Sequence, residues 1–360
     1  MKYKKIKIIF VLPHLKAGGA ERVVSFLFMQ MDKSIYDLNL LVLGSRKDNH
    51  YKVQENNVHY LNIDRLRGSF VGIIKFLRKN KPDIVFSSIG HINIYFGLIK
   101  TFFPRVKFIA REASIYSSVG KFHKRPKLPK IITKNCYQKL DAIIYQSEDM
   151  RKDFEQVFSI SSHKGILIQN PITLSPNPVI KSEIKNTPKI FKFIIVGSLI
   201  ESKGHLRVFQ SLKKLNFDFT LEIIGEGPLK KTLKDQVTLL GMNDQIHFRG
   251  LEKDMNKVYA SADFLIQTSY FEGFPNAVLE ALSFGVPCII FEAPGGHKEM
   301  ISEGMNGFII PNENNAEVVI EKTTLHDWDR VEIQSDVLSR FGPKIIIKQY
   351  DRLFQNIIKK

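Results

Sequence analysis

Residues 272–290 read EGFPNAVLEALSFGVPCII, a stretch with the marks of a helix entry, a helix exit and the start of a buried strand. Pro275 suits the first helical position, because its ring fixes φ and that residue needs no amide donor. Gly285 suits the exit, and Pro287 prevents continuation. Between them Val278, Ala281 and Leu282 recur at three- and four-residue spacing, which predicts a buried apolar face. Glu280 falls four residues after Asn276, on the same face of the helix. Free amides, Asn276 and a carboxylate are thereby expected at one helix N-terminus, an end that attracts phosphate by roughly 0.3–1 kcal/mol at exposed sites. An ordinary amphipathic helix with two solvated acids, Glu272 and Glu280, fits the spacing as well.

Working outward, the flanking sequence alternates apolar runs with helical patterns. Runs FKFIIVG, LEIIG, IHFRG, DFLIQTS, PCIIFE and GFII follow one another from residue 191 to residue 310. In the first half the expected strands are Ile6–Leu12, Leu38–Leu43, Val58–Ile63, Ile84–Ser88, Lys107–Ala110, Ala142–Tyr145 and Ile166–Ile168. Helical stretches are expected at Ala20–Met31, Phe70–Lys79 and Ile92–Phe102. Such alternation with short links predicts parallel sheets covered on both faces. Residues 170–189, NPITLSPNPVIKSEIKNTPK, hold four prolines and read as a linker. The expected class is therefore α/β, with two doubly wound Rossmann-like domains facing a cleft. Their expected bounds are residues 1–175 and 176–342, with a terminal amphipathic helix over 343–360. Ligands in such sheets bind beyond the carboxyl ends of the strands.

Composition narrows the class. At 360 residues with 44% hydrophobic and 25% charged content, the chain is an ordinary globular one. No apolar run approaches the ~18 residues that would span a bilayer. The apolar part of the N-terminus, Ile8 to Leu12, is too short for a signal-peptide core and reads as a first strand. Cys136 and Cys288 have no metal or redox spacing, which fits a reduced cytoplasmic setting. The net charge of +17 is one-sided: residues 1–180 carry 30 Lys and Arg against 13 Asp and Glu, and residues 181–360 carry 23 against 23. A basic half beside a neutral half points to an anionic surface or substrate on one side. Its densest part has Lys121, Lys124, Arg125, Lys127, Lys130 and Lys134. This segment predicts attraction to anionic lipid, by roughly 1 kcal/mol per residue near the surface; a solvated basic loop is the plainer alternative.

Two acids with seven residues between them, within EGFPNAVLEA and followed by GVPCI, resemble the donor-site signature of the retaining glycosyltransferases of family 4 (GT4), whose fold is termed GT-B. KAGGAER at 16–22, VGSLIESKG at 196–204, LEIIGEGP at 221–228, HFRGLEKDM at 247–255 and APGGHKEMISEGMNGFII at 293–310 follow in the family's order. The resemblance implies a nucleotide-sugar donor, a UDP-sugar, and a lipid-linked or growing surface glycan as acceptor. It implies catalytic roles for Glu272 and Lys203, the acid contacting sugar hydroxyls and the lysine a departing diphosphate. Donor contacts are implied for Gly18, Gly19, Lys203, Gly250, Leu251, Glu272, Gly273, Phe274, Pro275, Asn276 and Ala277, and a ribose contact for Glu280. Many relatives carry an arginine where this chain has Ser198, and a histidine in the stretch that here reads FIAREASIY. Arg111 and Glu112 stand there instead and, with His91, are the candidate acceptor residues; His91 also fits a capping role. No cofactor and no metal is expected. A peripheral place on the inner membrane face follows from the basic half and the implied acceptor.

A nucleotide-sugar epimerase shares the two-domain architecture and is the nearest rival; the acid pair argues against it. A nucleic-acid-binding protein would also use a basic half, but no helix-turn-helix, zinc spacing or aromatic RNA-binding stretch supports one, and no nucleic-acid partner is expected.

Overall fold

The computed structural model describes residues 4–46, 51, 53, 55–63, 66–122, 129–160, 162–174 and 190–359. The chain divides into two compact units, Met1–Ser117 with Lys124–Thr173 and Pro343–Lys360, and Ser118–His123 with Leu174–Gly342. The expected boundary at 175/176, most of the expected linker, and Lys124, Arg125 and Lys127 lie outside the described residues.

The first unit begins with β1 (Ile6–Leu12), α1 (Gly19–Gln30), β2 (Tyr36–Val42), β3 (Val58–Tyr60) and α2 (Phe70–Asn80). It continues through β4 (Ile84–Ser88), α3 (Gly90–Ile99), β5 (Lys107–Arg111), α4 (Tyr116–Phe122), α5 (Lys130–Lys139), β6 (Ala142–Tyr145), α6 (Glu148–Phe158) and β7 (Gly165–Leu167). Its seven strands are parallel in the order β3-β2-β1-β4-β5-β6-β7. The strands run as expected, with small shifts at their ends. β2 starts at Tyr36, two residues early, because Ile6 of β1 pairs with Tyr36 and Lys7 with Asp37. A charged residue interrupts the apolar run but not the ladder, since the side chain of Asp37 meets Lys7 at 3.5 Å.

The second unit holds β8 (Phe191–Val196), α7 (Leu206–Leu212), β9 (Phe219–Ile224), α8 (Lys230–Leu239), β10 (Ile246–Gly250), α9 (Met255–Ser261) and β11 (Phe264–Gln267). After these come α10 (Asn276–Ser283), β12 (Cys288–Phe291), α11 (His297–Met300), β13 (Gly307–Ile310), α12 (Ala316–Leu325) and α13 (Arg330–Phe341). Six parallel strands take the order β10-β9-β8-β11-β12-β13. Each sheet is doubly wound, so chain direction across it reverses beside its first strand. That reversal lies between β1 and β4 in the first unit and between β8 and β11 in the second.

The last helix, α14 (Pro343–Lys359), belongs to the first unit. Ile346, Tyr350, Phe354 and Ile357, spaced by three and four, are buried among Phe10, Tyr36 and Phe86. Burying a large apolar side chain contributes roughly 1.5–3 kcal/mol, so this stripe holds the helix to the sheet. No helix among the described residues is long and apolar enough to cross a membrane.

Candidate active site

In the second unit the loops that leave β8 and β11 adjoin, because those strands pair directly. The loop after β8 makes one short helical turn, Glu201–Lys203, and then reverses at Gly204 with φ +61. A Cβ there would lie 2.3 Å from the carbonyl oxygen of Thr268, so only glycine lets the two loops approach this closely. The Thr268 hydroxyl donates to the Lys203 carbonyl at 2.6 Å, and the Tyr270 amide to that of Ser202 at 2.9 Å. Two loops with no sequence proximity are thereby stitched together.

At this seam the Lys203 ammonium forms a short ion pair with the Glu272 carboxylate. Ser269 Oγ donates to Glu272 Oε1 at 2.7 Å and Gln267 Nε2 at 3.0 Å; Gln267 also donates to Ser269 Oγ at 2.7 Å. Burial pushes the Glu272 carboxyl up. The Lys203 charge and hydrogen bond, the Ser269 hydroxyl and His297 outweigh it, and the carboxyl sits below its ordinary value. The Glu272 side chain keeps 15% of its surface exposed and Lys203 28%, so both are reachable. Behind them Gly295 takes φ +131, where a Cβ would lie 1.8 Å from the Glu272 carbonyl. The Glu272 amide in turn donates to the Pro294 carbonyl at 3.0 Å. A carboxylate aligned by two donors and a lysine can accept ligand hydroxyls, and the lysine offers a compact charge to phosphate.

The helix that follows starts one residue later than expected. Pro275 is its N-cap, with ψ 104, and Asn276 its first residue. Its exit is as expected: Gly285 takes φ +67, with its amide on the Leu282 carbonyl and that of Val286 on Ala281. Asn276 and Ala277 are half-buried in the first turn, and Gly273, Phe274 and Pro275 are buried. Glu280 does not join Glu272's cluster of donors. It is buried at 2% exposure and accepts the Tyr259 hydroxyl at 2.9 Å. Gly250 closes β10 with φ +76 and accepts the Gly225 amide, and Leu251 beyond it is 60% exposed.

In the first unit the corresponding loops leave β1 and β4. Gly18 precedes α1 and its amide and carbonyl both engage the Tyr51 hydroxyl, at 3.2 and 3.0 Å. A Cβ on Gly18 would lie 2.2 Å from Glu21 Oε2, so this glycine lets the buried Glu21 fold beneath the loop. Gly19 opens the helix. His91 is exposed in the first turn of α3, just after Ile89, whose φ of +81 is strained for a β-branched residue. Arg111 and Glu112 are buried instead, at 1% and 4%. Arg111 donates to Ser88 Oγ at 3.3 Å and, by a short bond, to Asn170 Oδ1. Glu112 accepts Asn93 Nδ2 at 2.6 Å and a short bond from the Tyr137 hydroxyl. Burial drives the Glu112 carboxyl up, against the pull of those two donors and of Arg111.

Sequence reasoning missed Gln267, Ser269 and Tyr259 in the second unit, and Glu21, Asn93 and Tyr137 in the first. Gln267 and Ser269 had one usable signal, their place at the carboxyl end of a strand beside the sheet's reversal. Tyr259 and Tyr137 had none, being 21 and 25 residues from the acids they bind.

Known proteins match this layout. Residues 17–175 match the sequence profile described as Glycosyltransferase Family 4, and residues 178–325 that of Glycosyl transferases group 1. A Campylobacter jejuni N-acetylgalactosamine-N,N'-diacetylbacillosaminyl-diphospho-undecaprenol 4-alpha-N-acetylgalactosaminyltransferase is 26% identical, over 87% of this chain and 88% of its own. Among solved structures, the lipopolysaccharide outer core galactosyltransferase WaaB in its apo form has a TM-score of 0.75 at 20% identity, covering 98% of this chain and 100% of its own. Anabaena HepE in complex with UDP and glucose has a TM-score of 0.76 at 19% identity, with the same coverage. These structural likenesses show the GT-B fold. Two doubly wound domains matched by these profiles over residues 17–175 and 178–325 define a glycosyltransferase, of the hexosyl-transferring kind. The chain belongs to glycosyltransferase family 4.

Proposed function

We propose that the enzyme transfers a hexosyl group from a UDP-sugar to a lipid-linked or growing surface glycan, with retention of configuration. The observation that carries this reading is the cluster of Lys203, Glu272, Ser269 and Gln267 at the carboxyl edge of the second sheet. Glu272, held ionised, accepts hydroxyls of the donor sugar, while Gln267 and Ser269 fix its orientation. Lys203 stabilises the charge that develops on the diphosphate as the bond to C1 breaks. The departing phosphate oxygen takes the acceptor proton on the same face, which retains configuration. Ser198 is exposed at the start of this loop, so diphosphate stabilisation rests more heavily on Lys203 than in relatives with an arginine there.

The acceptor class is supported by the Campylobacter jejuni relative, whose name specifies a diphospho-undecaprenol substrate, and the donor class by the HepE structure with UDP and glucose. Placement at the inner membrane face is supported by exposed Lys130 and by its chain neighbours Ile131 and Ile132, 66% and 41% exposed. Basic and apolar side chains together suit an anionic lipid surface.

The test is incubation of the purified chain with UDP-glucose, UDP-galactose and their N-acetyl forms, with and without a diphospho-polyprenol-linked saccharide. Product anomers are read by NMR. Transfer that requires the acceptor and keeps the donor anomer supports the proposal. Conversion of a UDP-sugar without any acceptor would establish the epimerase instead, and an inverted product would remove the retaining mechanism.

A further inference from the structure

The amino edge of the first sheet carries a cavity of about 660 Å³ that the transfer reaction leaves unused. Because the strands are parallel, all their amino ends lie at one edge, opposite the loops of Gly18, His91 and Arg111. Lys4, Lys5 and Lys7 come from the start of β1, Lys33 from the turn before β2, and Lys81 from the turn before β4; all five line this cavity. Register brings them together, since Ile6 pairs with Tyr36 and Ile8 with Ile84.

Among the described residues two acids line the same space, Asp37 and Asp83, which leaves a formal surplus of three positive charges among them. Both acids are turned to one residue. Asp37 Oδ2 lies 3.5 Å from the Lys7 ammonium, and Asp83 Oδ2 accepts the Lys7 amide at 2.8 Å. Lys5 donates to the Lys33 carbonyl at 2.7 Å, which steadies its ammonium over the turn after α1. Lys81 caps α2 in the left-handed region, at φ +47, a conformation that costs energy in a non-glycine residue. Beneath this basic rim, Phe28 and Met29 supply apolar wall.

We propose that this cavity is a second anion site, which takes a phosphorylated ligand: its diphosphate or phosphodiester group meets the lysines and its carbon body meets Phe28 and Met29. Lysine suits such a group as a compact, mobile point charge, and a volume of this size suits a ligand of headgroup or nucleotide dimensions. The same chemistry is offered by an anionic lipid headgroup and by a soluble phosphate compound, and the experiment separates the two.

Full-length chain is compared with the triple variant Lys5→Gln/Lys33→Gln/Lys81→Gln and with a control of equal charge change on exposed lysines elsewhere, Lys152→Gln/Lys213→Gln/Lys231→Gln. Binding of inorganic diphosphate is followed by calorimetry with UDP present throughout. Sedimentation with phosphatidylcholine vesicles containing phosphatidylglycerol gives the lipid arm. The expected result is about tenfold weaker binding in the cavity variant and less than about twofold in the control. A selective loss confined to diphosphate identifies a soluble ligand, and one confined to vesicles identifies a lipid headgroup. Equal weakening of both variants reduces the effect to net charge and overturns the site. So does wild-type chain that binds neither probe, or a cavity variant that binds both as before.

Discussion

Replacing His205 should flatten the acid limb of the stability curve. His205 lies between Gly204 and α7, is 2% exposed, and among the described residues has no hydrogen-bond partner on either ring nitrogen. Burial, with the nearby Lys203 charge adding to it, pulls its pKa from the ordinary 6.5 to about 4. The unfolded chain therefore binds a proton near pH 6.5 that the folded chain refuses until about pH 4. Stability is complete above pH 7 and falls as pH drops through this window. At roughly 1.4 kcal/mol per pH unit the loss reaches about 3 kcal/mol. For a domain of this size that is about 6–12 °C in melting temperature. The assay is thermal unfolding from pH 4 to pH 8 of wild-type chain and His205→Phe, scored on the difference in slope, because the variant's absolute stability shifts for packing reasons too. Glu272 acts in a lower window: its depressed pKa stabilises the fold above 4.5 and fails only as pH falls further. Burial outranks Lys203 as the cause, so Lys203→Gln should keep most of the His205 slope. Parallel curves for wild type and His205→Phe would refute a buried neutral ring.

Other perturbations follow from the same geometry. Glu272→Gln, which keeps the shape but removes the charge facing Lys203, should lower transfer by roughly 10²-fold or more and also remove the stability its depressed carboxyl adds above pH 4.5; near wild-type turnover of the folded variant would sink its assigned role. Gly295→Ala places a methyl group 1.8 Å from the Glu272 carbonyl oxygen at φ +131. It should cost about 2 kcal/mol or more in denaturant unfolding and reduce transfer with it; unchanged stability would mean that this loop relaxes freely. Tyr259→Phe deletes the 2.9 Å bond to buried Glu280 and should cost about 1–3 kcal/mol in the same assay. A loss of nucleotide affinity without that loss of stability would instead make Tyr259 part of the ligand contact.

The parallel sheets were legible because strands buried on both faces read as unbroken apolar runs. Strand ends were less so where a polar residue such as Asp37 continues the ladder. At the candidate site, glycines were the most readable residues: Gly204 and Gly295 each mark a close backbone approach that a Cβ would block. The acids were readable as acids but not as surroundings. Glu272 and Glu280 look alike in the sequence, yet one is a reachable ion pair and the other is held inside by Tyr259. Arg111 and Glu112 read as candidate acceptor residues, and nothing in the sequence showed that they occupy a buried network with Asn93, Tyr137 and Asn170.

The chain's local order alone determined the α/β class and the glycine turns, because these depend on apolar periodicity and backbone freedom within a few residues. Tertiary structure alone decided which charges meet. Lys203 and Glu272 are 69 residues apart and become partners only because β8 and β11 are neighbours where the sheet reverses. The lysines at the opposite edge of the first sheet converge for a like reason, through strand register. Electrostatic pairing falls steeply with distance through space, and the sequence records only distance along the chain.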